Sequence, residues 1–284
     1  MDTTAWTFAD KKHPDSPTSF HPRDYIKVEG KLDLARVHVF TFDETPTTTF
    51  DRIEVSIYPI PLEAMQAAST YNRWALLDNK DRLLIGKWAA ATMGDTSGAK
   101  IAMLDINKDN ISVDVQRDTG FLVGFGIEVP DLTVMGSETD PRVIGHESSD
   151  ANPEGGLRAM ETLLAKDPDI NVIYTINEPA AEGAFQAMKN AGKEAQSIIV
   201  SVDGGCPGVA SVKSGVIGAT SQQYPLKMAG LGIDAIAAYA KDGTKPTVTE
   251  GLSFFNTGVN LVTDKPAEGV PSIDTTEGTA LCWG

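Results

Sequence analysis

Beyond residue 77 the chain alternates between short apolar runs and longer segments whose apolar residues recur every three or four positions. The runs "AKIAMLD" (99–105), 142–146, 170–176, "SIIVSV" (197–202) and "VIGAT" (216–220) read as strands. In 170–176 the β-branched and aromatic residues Ile170, Val172, Ile173, Tyr174 and Ile176 form a stretch too short and too continuous for an amphipathic helix. Helices are predicted around 111–126, 153–166, 179–191 and 207–214. The third has Ala181, Ala184, Phe185, Met188 and Ala191 on one face, Pro179 in its first turn and Gly192 as its stop. A helix over 225–241, with Leu226, Ala229, Ile233, Ile236 and Ala240 turned inward, and two late strands near 247–254 and 258–262 complete the pattern. Such alternation predicts a parallel sheet with helices on both faces. Residues 1–76 read differently, with prolines, Thr clusters such as "ETPTTTF" and no strong strand–helix–strand signal. No repeat of solenoid period and no long low-complexity linker is present.

The polar residues at the strand ends carry the candidate chemistry. Strand 170–176 ends in Asn177, strand 197–202 in Asp203-Gly204-Gly205, and strand 216–220 in Ser221-Gln222-Gln223. In open α/β sheets ligands bind where strand C-termini feed helix N-termini, because side chains and free N–H groups converge there. Helix capping explains Asn177 taken alone. It explains all three tips less well. With Arg117 from helix 111–126, these carboxylate and amide groups suit a neutral polyhydroxyl ligand: the carboxylate and amides take hydroxyl protons and the guanidinium donates.

Composition narrows the alternatives. At 284 residues the chain exceeds what one hydrophobic core usually supports, so two lobes are expected. A net charge of -15, from 39 acidic and 24 basic residues, disfavours a nucleic-acid partner. No apolar run approaches the roughly 20 residues that span a bilayer. The opening "MDTTAWTFADKKHPD" lacks the basic-then-apolar pattern of a secretory signal. Common enzyme motifs, GxGxxG, GxxxxGK[ST] and GxSxG, are absent. Glu178 is weighed as a general acid, but the sequence fixes no second carboxylate or His beside it. "DINKDNISVDVQ" (105–116) imitates a calcium loop through Asp105, Asn107 and Asp109, with Asn110 at its sixth position and Gln116 at its twelfth, where Gly and Glu belong. His13, His21, His38 and His146 show no ligand spacing and are read as surface residues. "GFLVGFG" (120–126) is read as a close-packed helix end. No catalytic residue, metal or cofactor is expected.

"DPDINVIYTINEPAAEGAFQAMKNAG", "SIIVSVDGGCPGVASVKSGVIGATSQQYPLKMAGLGIDAIAAYA", "TEGLSFFNTGVNLVTDKPAEGVPSIDTTEGTALCWG" and "GKWAAATMG" resemble the sugar-binding proteins of bacterial ABC importers, of the ribose and galactose type and closest to the fructose-type members. The resemblance covers residues 77–284. It implies an α/β fold of the first periplasmic-binding-protein type, with two lobes that each carry a largely parallel sheet flanked by helices and that close on the ligand like a clamp. The lobes would comprise residues 1–77 plus 224–258, incomplete or irregular, and 78–223 plus 259–284. It also implies a periplasmic, non-enzymatic monomer that binds a monosaccharide and delivers it to a membrane permease. The family's sugar contacts fall on Arg117, Asn177, Asp203 and Gln223. In an oxidising compartment Cys206 and Cys282 are expected to be bonded, with two buried free thiols as the alternative.

The front segment departs from the family. Family members open with a strand whose tip is often Asn-Pro-Phe-Phe, and nothing in residues 1–50 matches. Weak similarity returns at "VSIYPIPLEAMQAASTY" (55–71), where Pro59 stands in place of a sugar-binding Asp. A divergent lobe, a replacement and a shifted reading frame all fit this segment. The expectation is weak monosaccharide binding, with Phe20 and Tyr25 of "SFHPRDY" as the candidates to rebuild an aromatic wall. The competing classes are a degenerate, non-binding homologue and a sugar-modifying α/β enzyme. A repressor core is disfavoured by the acidic charge and the lack of a helix-turn-helix.

Overall fold

The computed structural model describes residues 79–250 and 255–284, together with two short strands near the start, β1 (Trp6–Phe8) and β2 (Ile26–Val28), which pair antiparallel. The remainder of the expected first-lobe segment 1–77 lies outside the described residues, as do Pro59, Phe20, Tyr25 and the stretch 55–71.

From Asn79 onward the elements follow one another as α1 (Asn79–Met93), β3 (Ile101–Asp105), α2 (Ser112–Phe125), β4 (Val143–Ser148), α3 (Pro153–Lys166), β5 (Val172–Thr175), α4 (Glu178–Asn190), β6 (Ile198–Asp203), α5 (Cys206–Ser214), β7 (Ala219–Gln222), α6 (Pro225–Asp242), β8 (Asn260–Val262) and α7 (Thr275–Leu281). The strands form one sheet in the order β4-β3-β5-β6-β7-β8, parallel throughout except that β8 returns antiparallel to β7. The predicted α/β architecture is therefore present, with the helices that follow the strands starting within one residue of their expected positions. Asn152 and Asn177 accept from the backbone N–H groups of Gly155 and Ala180, and a proline occupies the first turn of both α3 and α4.

Every residue of β3 is buried, because the sheet is covered on both faces. Ile101 and Met103 face a core with Ile85, Trp88, Phe121, Tyr174 and Val200. Ala102 and Leu104 face the opposite one with Met160, Leu163, Ile173 and Met188. This alternation is the two-residue period of a strand dividing its side chains between two layers. Each fully buried large apolar side chain contributes roughly 1.5–3 kcal/mol. The first layer closes by direct contact of α1 with α2. A Cβ on Gly124 would lie 2.3 Å from the Leu83 carbonyl oxygen, so the close-packed reading of "GFLVGFG" holds at this position.

Two late elements differ from expectation. Residues 247–249 are not a strand, and 251–254 lie outside the described residues. In α6 the buried residues are Met228, Gly232 and Ala235, while Leu226 is 75% and Ile233 67% exposed. The predicted inward set is thus rotated. Apolar residues occupy most sides of this helix, so spacing alone does not select which stripe is covered.

Candidate functional site

The neighbouring parallel strands β5, β6 and β7 end side by side, and the residues that follow them gather over one edge of the sheet. α2 brings Arg117 across this edge. Its Nη1 donates to the Ile176 carbonyl at 2.6 Å and its Nη2 to Asp203 Oδ1 at 2.8 Å. Gln223 Nε2 donates to the same oxygen at 2.7 Å. Among the described residues Asp203 Oδ2 forms no hydrogen bond. The pair is sheltered, with side-chain exposures of 7% for Arg117 and 20% for Asp203. Burial pushes the Asp203 carboxyl upward against the opposing pull of Arg117 and Gln223. The Asp203 backbone has φ 128°, a conformation glycine favours. Such strain costs roughly 1–3 kcal/mol and persists only where the surroundings hold it. Here pairing with Gln222 and the bond from Gln223 N to the Asp203 carbonyl at 3.0 Å do so.

Asn177 stands at the same edge with both polar groups engaged. Oδ1 accepts from Ala180 N at 3.1 Å, capping α4, and Nδ2 donates to the Ala151 carbonyl at 3.0 Å. The structure thus unites Arg117, Asp203 and Gln223 by direct bonds. Asn177 is linked to them only through the adjacent Ile176 carbonyl.

The turn that presents Asp203 is held from beneath by Glu178, which is 5% exposed. Its Oε1 accepts from Gly204 N at 2.7 Å and from Thr220 Oγ1 at 2.6 Å, and its Oε2 from Gly205 N at 3.3 Å. Burial, reinforced by the charge of Asp203 and opposed by these donors, pushes its pKa from 4.5 up to about 7. A Cβ on Gly208 would lie 1.8 Å from the Glu178 carboxyl carbon, so only glycine leaves room for it. With both oxygens committed to the fold, Glu178 positions Asp203 and is not placed as a general acid. Gln222, also buried, donates to the carbonyls of Gly204 at 2.9 Å and Gly278 at 3.0 Å. The chemistry gathered at this edge is one open carboxylate oxygen beside a sheltered guanidinium and amide, a set able to accept from and donate to adjacent hydroxyls.

Residues 83–245, more than half of the chain, match the family model of the periplasmic binding protein domain. This chain belongs to the periplasmic binding protein family. The ribose import binding protein of Bacillus subtilis is 27% identical to this binding protein over 178 residues, covering 62% of this chain and 53% of that protein. A carbohydrate transporter solute-binding protein from Agrobacterium radiobacter, solved in complex with D-arabinose, superposes with a TM-score of 0.54 at 22% identity. The match covers 72% of this chain and 62% of that one. An ABC transporter periplasmic solute-binding protein from Actinobacillus succinogenes, solved with bound D-allose, gives 0.52 at 19% identity, with 70% and 61% covered. At these identities the superpositions establish the shared fold. The chain spans between 30% and 53% of the length of the curated relatives it matches. Among the described residues no helix is long and apolar enough to cross a membrane.

In this binding protein Cys206 and Cys282 are disulfide-bonded, with Cα atoms 5.0 Å apart. Cys206 N also donates to the Trp283 carbonyl at 2.9 Å. Cys206 opens α5 directly after Gly205, so the expected bond ties the C-terminal tail to the turn that carries Asp203.

The calcium-like stretch 105–116 closes on itself: Asn107 Oδ1 accepts from Asp109 N at 2.8 Å, and buried Asp114 accepts from Ile106 N at 3.1 Å. His146 is not the surface residue expected. Its side chain is 18% exposed, with Nδ1 2.9 Å from Asp105 Oδ2 and Nε2 2.8 Å from Glu138 Oε1. Burial pulls its pKa down, but the two carboxylates prevail and hold it at about 10, so both nitrogens donate. Its partners come from the end of β3 and from the loop before β4, which is why spacing around a single His does not disclose them. His13, His21 and His38 lie outside the described residues.

Proposed function

We propose that this chain is the substrate-binding component of an ABC sugar importer, acting in the periplasm as a non-enzymatic monomer that binds a monosaccharide and hands it to a membrane permease. The observation that supports this most is the Arg117–Asp203–Gln223 cluster, which leaves Asp203 Oδ2 open at the C-terminal edge of a parallel sheet. Matched proteins whose names or structures carry ribose, D-arabinose and D-allose point to a pentose or hexose as the ligand class. Asp203 accepts a sugar hydroxyl, Arg117 and Gln223 donate to neighbouring oxygens, and Asn177 contributes to the rim of the site. The ligand sits between the lobe of 78–223 plus 259–284 and a first lobe of 1–77 plus 224–258. Pro59 in place of the family's acceptor makes the binding weak.

Ligand-observed NMR and calorimetry with ribose, allose, arabinose, fructose and galactose test the reading. Saturable binding of at least one sugar is expected, weakened by Asp203→Ala by about one to two orders of magnitude, the worth of a hydrogen bond to a charged group. Absence of saturable binding to every sugar, or binding indifferent to Asp203→Ala, refutes it. Micromolar affinity abolished by Asp203→Ala would retain the function and overturn the expectation that binding is weak.

A further inference from the structure

A second polar group lies apart from the Asp203 cluster. Asp105 at the end of β3, Asp118 on α2 and His146 on β4 each offer one ligand atom, and these atoms lie within 4.8 Å of one another. Asp105 is 2% and Asp118 1% exposed, and the Glu138 side chain that flanks His146 is 4% exposed. Neither oxygen of Asp118 has a hydrogen-bond partner among the described residues, nor have Asp105 Oδ1 and Glu138 Oε2. The Tyr174 hydroxyl is set beside Asp118 and pulls its pKa down, but it falls short of full hydrogen-bond geometry. Buried carboxyl oxygens without donors are costly, and one imidazole ring does not partner all of them. A cation does.

We propose that Asp105, Asp118 and His146 form a binding site for a transition-metal dication of the zinc class. One imidazole nitrogen with carboxylate oxygens is the donor set such ions take, whereas calcium requires six to eight oxygens and magnesium prefers oxygen and water alone. Zinc bonds these atoms at about 2.0–2.2 Å in tetrahedral geometry, so its ligand atoms lie about 3.3–3.6 Å apart. Side chains now within 4.8 Å of one another would close in by about an ångström. The ion takes the place of the proton that Nδ1 directs at Asp105, and that proton is released. Nε2 keeps its hydrogen bond to Glu138, the carboxylate arrangement that fixes a metal-ligating ring. A cleft of about 330 Å³ lined by Asp105, Lys108, Met135, Gly136, His146 and Glu147 supplies an entry path and room for a water as a further ligand. The site is independent of the sugar reading, although α2 joins them by carrying Arg117 and Asp118 side by side.

The test uses the full chain, stripped with a chelator and titrated with ZnCl2 by calorimetry, with bound zinc counted after gel filtration. The expected result is one zinc per chain with a Kd on the order of micromolar or tighter. Asp118→Asn keeps the side-chain shape and should weaken binding about 100-fold or more, with an unchanged far-ultraviolet circular dichroism spectrum. Glu138→Gln should weaken it about 10-fold through loss of ring orientation. His146→Gln serves in place of Asp118→Asn should that variant fail to fold. A wild-type chain that retains no zinc overturns the proposal. So does zinc binding that Asp118→Asn or His146→Gln leaves at wild-type strength, since the ion would then sit elsewhere.

Discussion

Replacing Glu178 by glutamine should make the protein less stable than wild type in mild acid and more stable in mild alkali. The folded carboxyl titrates near 7 and its reference value is 4.5. The folded state therefore holds the proton more tightly than the unfolded chain does. Stability from this group is fully present below pH 4.5 and is lost as pH rises through about 7. A tenfold difference in proton affinity corresponds to about 1.4 kcal/mol, so the wild-type chain loses about 3 kcal/mol across that window, and the Glu178→Gln variant loses none of it. At pH 4 the wild-type carboxyl is protonated in the fold and mostly protonated in the unfolded chain, so nearly all of its stabilisation is present. There the variant pays only for its amide facing Gly205 N, whose bond to Glu178 is the longest of the three at 3.3 Å, a cost of about 1 kcal/mol. By pH 8 the sign reverses and the variant leads by about 2 kcal/mol. Urea unfolding of both proteins at pH 4, 5, 6, 7 and 8, followed by circular dichroism, measures the difference directly. A difference that stays flat within about 1 kcal/mol across this range would refute the claim that burial governs Glu178.

Arg117→Met should remove the counter-charge of Asp203 and its link to the Ile176 carbonyl, destabilising the fold by about 3 kcal/mol in urea unfolding and abolishing sugar binding in the same preparation. Gly208→Ala would push a methyl group into the Glu178 carboxyl and should lower stability by about 1–3 kcal/mol, again by urea unfolding, with sugar affinity falling as the turn at Asp203 shifts. Cys206→Ser with Cys282→Ser opens a loop spanning a sequence separation of 76 and should cost about 4 kcal/mol, read as a lower melting temperature that reductant no longer changes.

Much of the fold from Asn79 onward is legible in the residues. β3, β5 and β6 are continuous apolar runs because helices cover both faces of the sheet, and such strands need no polar alternation. The starts of α3 and α4 are legible because Asn and Pro act on the backbone within three residues of themselves. The apolar pattern starts β7 too early. Val216 and Ile217 look like strand residues, but their N–H groups bond back to the Ser211 carbonyl, and the strand begins only at Ala219. The Arg117–Asp203–Gln223 cluster is legible because strand ends in a parallel sheet share an edge. Asn177 reads both as a cap and as a ligand group, and the fold uses it as a cap.

The sequence by itself determined what depends on near neighbours: the strand and helix periods, the caps, the order of elements and the polar tips that follow each strand. Only the tertiary structure decided which groups share a buried volume. Glu178 reaches donors 26 and 42 residues away, and His146 meets Asp105 across 41. The covered stripe of α6 was likewise set by its surroundings, since its own pattern is apolar on nearly every side. The physical reason is the same in each case. A side chain's conformational preference acts through covalently adjacent backbone, whereas its charge state, desolvation and partners depend on segments that meet it only after the chain has folded back on itself.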